Sequence, residues 1–122
     1  MALAEAGANA SVNLCTDLTG NVDSTNTAFR GMRSTGGALV ITSAIGATPT
    51  VTVNIRGSMD NVTFYNIPYA LVATPRTFVL TAITITTAVT TTYLLQELVP
   101  WRYLKIVMSA NTNVTLTADA YL

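Results

Sequence analysis

The chain has 122 residues, half of them apolar and only 10% charged, with six basic side chains balanced by six acidic ones and no histidine. That length suits one domain of roughly 100–200 residues, and so apolar a composition excludes a disordered tail. Zero net charge supplies no basic field for phosphate backbones, so nucleic acid is not an expected partner, and without histidine the commonest metal ligand and the usual general base near neutral pH are both missing.

The opening Met1–Ala6 carries Glu5 where a secretory signal would be basic, so no targeting peptide is expected. Residues 1–36 are rich in Ala, Gly, Asn, Ser and Thr and read as an extended N-terminal arm with one or two weak strands. Ala2–Ala10 is interrupted by Gly7 and Asn9 and is too short to hold a helix alone. An arm of this kind is either frayed or held by a neighbouring subunit. Its apolar group Phe29-Arg30-Gly31-Met32-Arg33 makes Phe29, Arg30, Met32 and Arg33 candidate interface residues. The single Cys15 permits no internal disulfide; it follows Leu14 rather than a small residue, and is read as a buried apolar side chain rather than a lipid anchor.

Residues 37–122 are expected to form a β-sandwich. Period-two alternation begins in Ala38–Thr42 and is clear in Thr50–Arg56, where Val51, Val53 and Ile55 share one face. Pro49 stands at the entrance of that second strand, where a missing N–H does least harm. Asp60-Asn61 predicts a hairpin turn before Val62–Ile67, because both residues tolerate positive φ. Pro68 and Pro75 punctuate the next connection. Thr77–Thr81, Ile83–Thr86 and Val89–Leu95 are dense in β-branched residues and read as strands, with a bulge or turn at Thr86-Thr87. Trp101–Ser109, apolar on both faces, reads as a central strand. Asn111–Asn113 is expected to turn the chain into Val114–Ala120, the last two strands pairing as a hairpin. Seven to nine short strands without a convincing helix give an all-β, antiparallel β-sandwich or jelly-roll-like fold. No run reaches the 18 or so apolar residues of a spanning helix, so no membrane role is expected.

The surface is unusual. Twenty-two Thr, six Ser and nine Asn supply small uncharged polar groups that hydrogen-bond across an interface at modest desolvation cost. One Lys leaves few charged gatekeepers for exposed strand edges, which subunit contacts would cover. The six acids are scattered without calcium-loop spacing, and Gly31, Gly36 and Gly37 form no phosphate cradle. Three Asn-x-Ser/Thr matches, at Asn9, Asn61 and Asn113, are explained by composition. Trp101, Tyr103, Phe64, Tyr65, Tyr69 and Tyr93 read first as core or interface packing, with Trp101 a candidate interface residue. No catalytic, cofactor or metal residue is assigned, and the chain is expected to be no enzyme.

Val53-Asn54-Ile55-Arg56-Gly57-Ser58-Met59-Asp60-Asn61-Val62-Thr63-Phe64-Tyr65, then Pro100–Ile106 and Val114–Ala118, resemble a pattern in small virion proteins of tailed bacteriophages. Asn61 stands where that pattern usually has Gly, a change that keeps access to positive φ. The likeness covers about 70 residues of this chain. It implies a capsid decoration (cement) protein on the exterior of the virion, made in the host cytoplasm. Its partners would be the major capsid protein and further copies of itself, as a trimer or dimer. Discoidin-like carbohydrate-binding domains carry a similar hairpin and Arg-Tyr strand. The alternative is therefore a carbohydrate- or receptor-binding module of a phage tail or spike.

Overall fold

The computed structural model describes residues 11–24, 27–28, 37–95 and 102–121. Its strands are β1 (Ser11–Leu18), β2 (Thr27–Ala28), β3 (Gly37–Ser58), β4 (Phe64–Asn66), β5 (Tyr69–Leu71), β6 (Ile83–Ile85), β7 (Thr90–Leu95) and β8 (Tyr103–Tyr121). All pair antiparallel in one sheet, and the described residues contain no helix.

Two long strands organise everything else. β3 and β8 pair along most of their length, from Ala38↔Tyr121 to Ser58↔Tyr103. On its other side the first half of β3 takes β7, and the second half takes β6 and β4. β8 is flanked in its second half by β1, and in its first half by β2 and an isolated bridge at Asp23↔Val107. β5 extends the first group beyond β7.

The ribbon bends where its register slips, between Ile45 and Thr52 on β3 and between Val114 and Ser109 on β8. Unequal lengths on paired strands force a bulge, which bends and twists the ladder. Here Thr48, Ala110 and Asn113 take positive φ of 46°, 51° and 53°. Asn side chains replace the interrupted ladder: Asn111 Oδ1 accepts the Val114 amide at 3.0 Å, and Asn113 Nδ2 donates to the Ala47 carbonyl at 2.7 Å.

On either side of the bend the alternation is strict. Leu39 and Ile41, then Val51, Val53 and Ile55, are buried on β3; Leu104, Ile106 and Met108, then Val114, Leu116, Ala118 and Ala120, are buried on β8. All belong to one hydrophobic cluster, so the inner faces of the two halves share a core and the sheet is sandwich-like. Large faces small across part of the ladder, Leu39 on Ala120 and Ile41 on Ala118, leaving room for the opposing layer. Leu14 and Cys15 of β1 join the same cluster.

Several expectations need correction. Ala38–Thr42 and Thr50–Arg56 are one strand, and Pro49 sits at its bend rather than at an entrance, in the four residues where the ladder is interrupted. Trp101–Ser109 and Val114–Ala120 do not pair with each other: the described part is one continuous β8, and both halves pair with β3. An Asn at positive φ serves a bulge as readily as a turn, so the local signal is the same; the available partner strand decides. Thr77–Thr81 is not a strand, since only Val79 forms a bridge, to Tyr69.

The two edges of the longer strand group are blunted without charge. β1 carries register shifts at Asn13/Cys15 and Cys15/Leu18, with Asp17 at φ 51°. β5 is covered at Tyr69, which exchanges backbone hydrogen bonds of 3.0 and 2.9 Å with Val79. Bulges and a covering loop prevent edge-to-edge pairing as effectively as lysines do.

Candidate interaction surface

The three buried polar residues among those described are Ser24, Ser43 and Ser58, and each stitches a connection to a strand. Ser24 Oγ accepts the Ile106 amide at 2.8 Å. Ser43 Oγ donates to the Thr87 carbonyl at 2.6 Å and accepts the Val89 amide at 3.0 Å, fixing the β6–β7 turn. A hydroxyl both donates and accepts, so one small side chain satisfies loop groups that a ladder cannot reach.

Ser58 builds the tip of the β3–β4 hairpin. Its fully buried Oγ accepts the amides of Asp60 at 3.2 Å and Asn61 at 2.9 Å, and donates to Asp60 Oδ1 at 3.0 Å. The same Oδ1 accepts the amides of Val62 at 2.9 Å and Thr63 at 3.0 Å. Those bonds to Thr63 and Val62, then the Ser58 hydroxyl, hold the Asp60 carboxyl below the ordinary carboxylate range. Asn61 takes φ 63°, as the Asp-Asn turn predicts. This tight frame displays Met59 at 50% and Val62 at 80% exposure. Beside it, Lys105 Nζ meets Asp23 at 2.7 Å and lies 4.2 Å above the Phe64 ring, pinning β4 to β8.

A second feature lies where β5, β6 and β7 meet the connection 72–82. An open recess of about 330 Å³ is lined chiefly by apolar groups, including Leu71, Val79, Ala82 and Ile83. The rings of Tyr69 and Tyr93 also line it, packed edge to face with centroids 5.4 Å apart. Burial raises the Tyr93 hydroxyl above its ordinary range, against a lowering hydrogen bond with Thr91. Thr74 and Thr77 complete the lining through a turn tied by the Thr74 amide to the Leu71 carbonyl. Arg76 is exposed within that turn and has no ion pair among the described residues. Val72 and Leu80, both 58% exposed, extend the apolar surface.

A third, more open recess of about 470 Å³ follows the ribbon's bend, between Gly20, Ile45, Gly46 and Thr115. Its amide groups are already committed: Asn111 Nδ2 donates to the carbonyls of Gly20 and Val114. Among the described residues no three His, Cys, Asp or Glu side chains gather to hold a metal. Cys15 is buried, and desolvation raises its thiol above the ordinary range.

Phe29, Arg30, Met32, Arg33 and Trp101, the interface candidates read from sequence, lie outside the described residues. Arg56 donates to Asn66 Oδ1 at 3.0 Å, a cross-strand link rather than an anchor for another molecule. Sequence reasoning found the Asp60-Asn61 turn but missed the exposed pair Met59 and Val62 as a displayed surface. Ser58 followed by Asp60, with apolar residues at 59 and 62, was the available signal.

No family model matches the chain, and no match is found among curated proteins. Among solved structures, the SPBc2 prophage-derived protein YomS superposes with a TM-score of 0.61, over 93% of this chain and 91% of that one. The two share a fold. At 7% sequence identity the likeness carries the backbone plan and no individual side chain.

Proposed function

We propose that this chain is a non-enzymatic structural protein of a bacteriophage virion that binds the major capsid protein and reinforces the shell from outside. The observation that carries the reading is the near full-length fold likeness to a prophage-derived protein, in a chain whose hairpin already resembles virion proteins. The surface supports it: the hairpin tip exposes Met59 and Val62, and β5 with the connection after it exposes Leu71, Val72 and Leu80, side chains that gain from being covered. Reinforcement follows from physics. Each copy that bridges neighbouring shell subunits adds buried area, and repetition over the shell multiplies a modest single-site affinity.

Purified protein incubated with empty shells of its own phage should co-sediment at a fixed ratio to the major capsid protein and raise the temperature at which the shells open. Protein that stays in the supernatant, with shells opening at an unchanged temperature, overturns the proposal. The half-exposed Tyr65 on β4 supports a sugar-binding role. Specific glycan binding that is lost in Tyr65→Ala, without shell binding, would select that reading instead.

A further inference from the structure

The hairpin tip and the β5–β7 recess have complementary properties. The tip is exposed, apolar at Met59 and Val62, and carries the carboxylate of Asp60. All three described bonds to the Asp60 carboxylate fall on Oδ1, so Oδ2 takes none of them. The recess is concave and mostly apolar, and the turn that lines it carries the cation Arg76. At about 330 Å³ it exceeds the ~150 Å³ that holds a benzene-sized group, so it has volume enough for a valine side chain.

The tip cannot fill the recess of its own chain. Ile83, in the recess wall, pairs with Val53, whereas the tip begins at Ser58. Five residues of extended strand separate them, roughly 17 Å at about 3.3 Å per residue, and the bonds at Ser58 and Asp60 fix the tip where it stands. Across two molecules the tip and the recess are free to meet, and no net charge opposes approach.

We propose that copies of this chain associate through this pair of features, the Met59–Val62 tip of one copy seated in the Tyr69–Tyr93 recess of the next, with Arg76 against Asp60 Oδ2. The occupant is a second copy because the chain itself supplies both the apolar fit and the opposite charges. Unlike surfaces in contact make rings when the rotation closes and open filaments when it does not. The inference deepens the virion reading and rests on it only for the expectation that copies assemble.

The test uses the whole chain and measures mass by light scattering across a concentration series. Wild type should be oligomeric. Val62→Asp removes the tip, and Ala82→Trp fills the recess at an exposed position; each should weaken association about 100-fold, as expected for losing one buried aliphatic anchor. An equimolar mixture of the two should form a heterodimer, since one intact tip meets one intact recess. Arg76→Glu should weaken association about 10-fold and remove its salt dependence. Circular dichroism spectra that match wild type, with a cooperative melt, verify that the variants fold; a melting temperature lowered only by the loss of association is expected. A monomeric wild type, variants that keep the wild-type mass, or a mixture that stays monomeric each overturn the proposal. Shell co-sedimentation is scored separately: an oligomer that ignores shells sinks the capsid role and leaves this contact standing, while a shell-bound monomer does the reverse.

Discussion

Replacing Ser58 with Ala tests whether the hairpin tip is a built structure. The substitution removes one oxygen from a fully buried position and with it three hydrogen bonds, to Asp60 N, Asn61 N and Asp60 Oδ1. A net contribution of about 0.5–1.5 kcal/mol per bond gives an upper bound of about 4.5 kcal/mol. Asp60 and Asn61 are exposed, however, so their freed amides return to water and escape the penalty of buried unsatisfied groups. The two bonds that run through the same Asp60 group are also coupled, and a loss of about 2 kcal/mol follows. With a urea slope of about 2 kcal/mol per molar, the midpoint should fall by about 1 M with the slope unchanged. Hydrogen exchange should show faster exchange at Asp60 and Asn61, while Ile55 and Ile106 in the core keep their protection relative to the new global stability. A midpoint within about 0.2 M of wild type, or exchange at Asn61 no faster than before, would refute the reasoning.

Three further outcomes are expected. Ile106→Ala truncates a fully buried side chain opposite Ile55 and should cost about 2–5 kcal/mol in urea unfolding, against a total of roughly 5–15 kcal/mol for a domain. Thr48 is a β-branched residue at φ 46°; Thr48→Asn, which accepts that conformation more readily, should stabilise by about 0.5–1 kcal/mol, and a lower melting temperature would contradict it. Asp60 has a folded-state pKa below its ordinary 3.8, so its contribution is complete above that value and is lost as pH falls through the depressed folded value. The amide shifts of Val62 and Thr63 should therefore titrate with a midpoint below 3.8; a midpoint at or above 3.8 would contradict the bonding at the tip.

Much of the strand content was legible because alternation is a local property. Val51, Val53 and Ile55 announce a half-buried strand from any five-residue window, and Asp60-Asn61 announces a turn. Connectivity was not legible. Asn111–Asn113 carries every mark of a hairpin turn, yet it makes a bulge because β3 lies alongside both flanking segments. Thr77–Thr81 has strand propensity and forms one bridge, because propensity states what a pleated surface accepts and not whether a partner is present. The candidate surface was less legible still. Exposure of Val62 follows from a serine and an aspartate folding a loop beneath it, and the recess is assembled from three short strands and the irregular connection 72–82, whose path no alternation pattern announces.

Both layers of the sandwich are made from the same two strands, which has a consequence for how the chain matures. β8 begins 45 residues after β3 ends, and its arrival completes the hydrogen bonding of both layers together. Until the ribosome has released that strand, one whole side of β3 and the apolar faces on either side of its bend stay bare. Ordering so distant a pair is slow, since the entropy of closing the long loop must be met before any contact is made. A nascent chain of this kind gains from a holdase or from fast docking, and synthesis interrupted before Tyr103 leaves a sticky fragment rather than a half-formed domain.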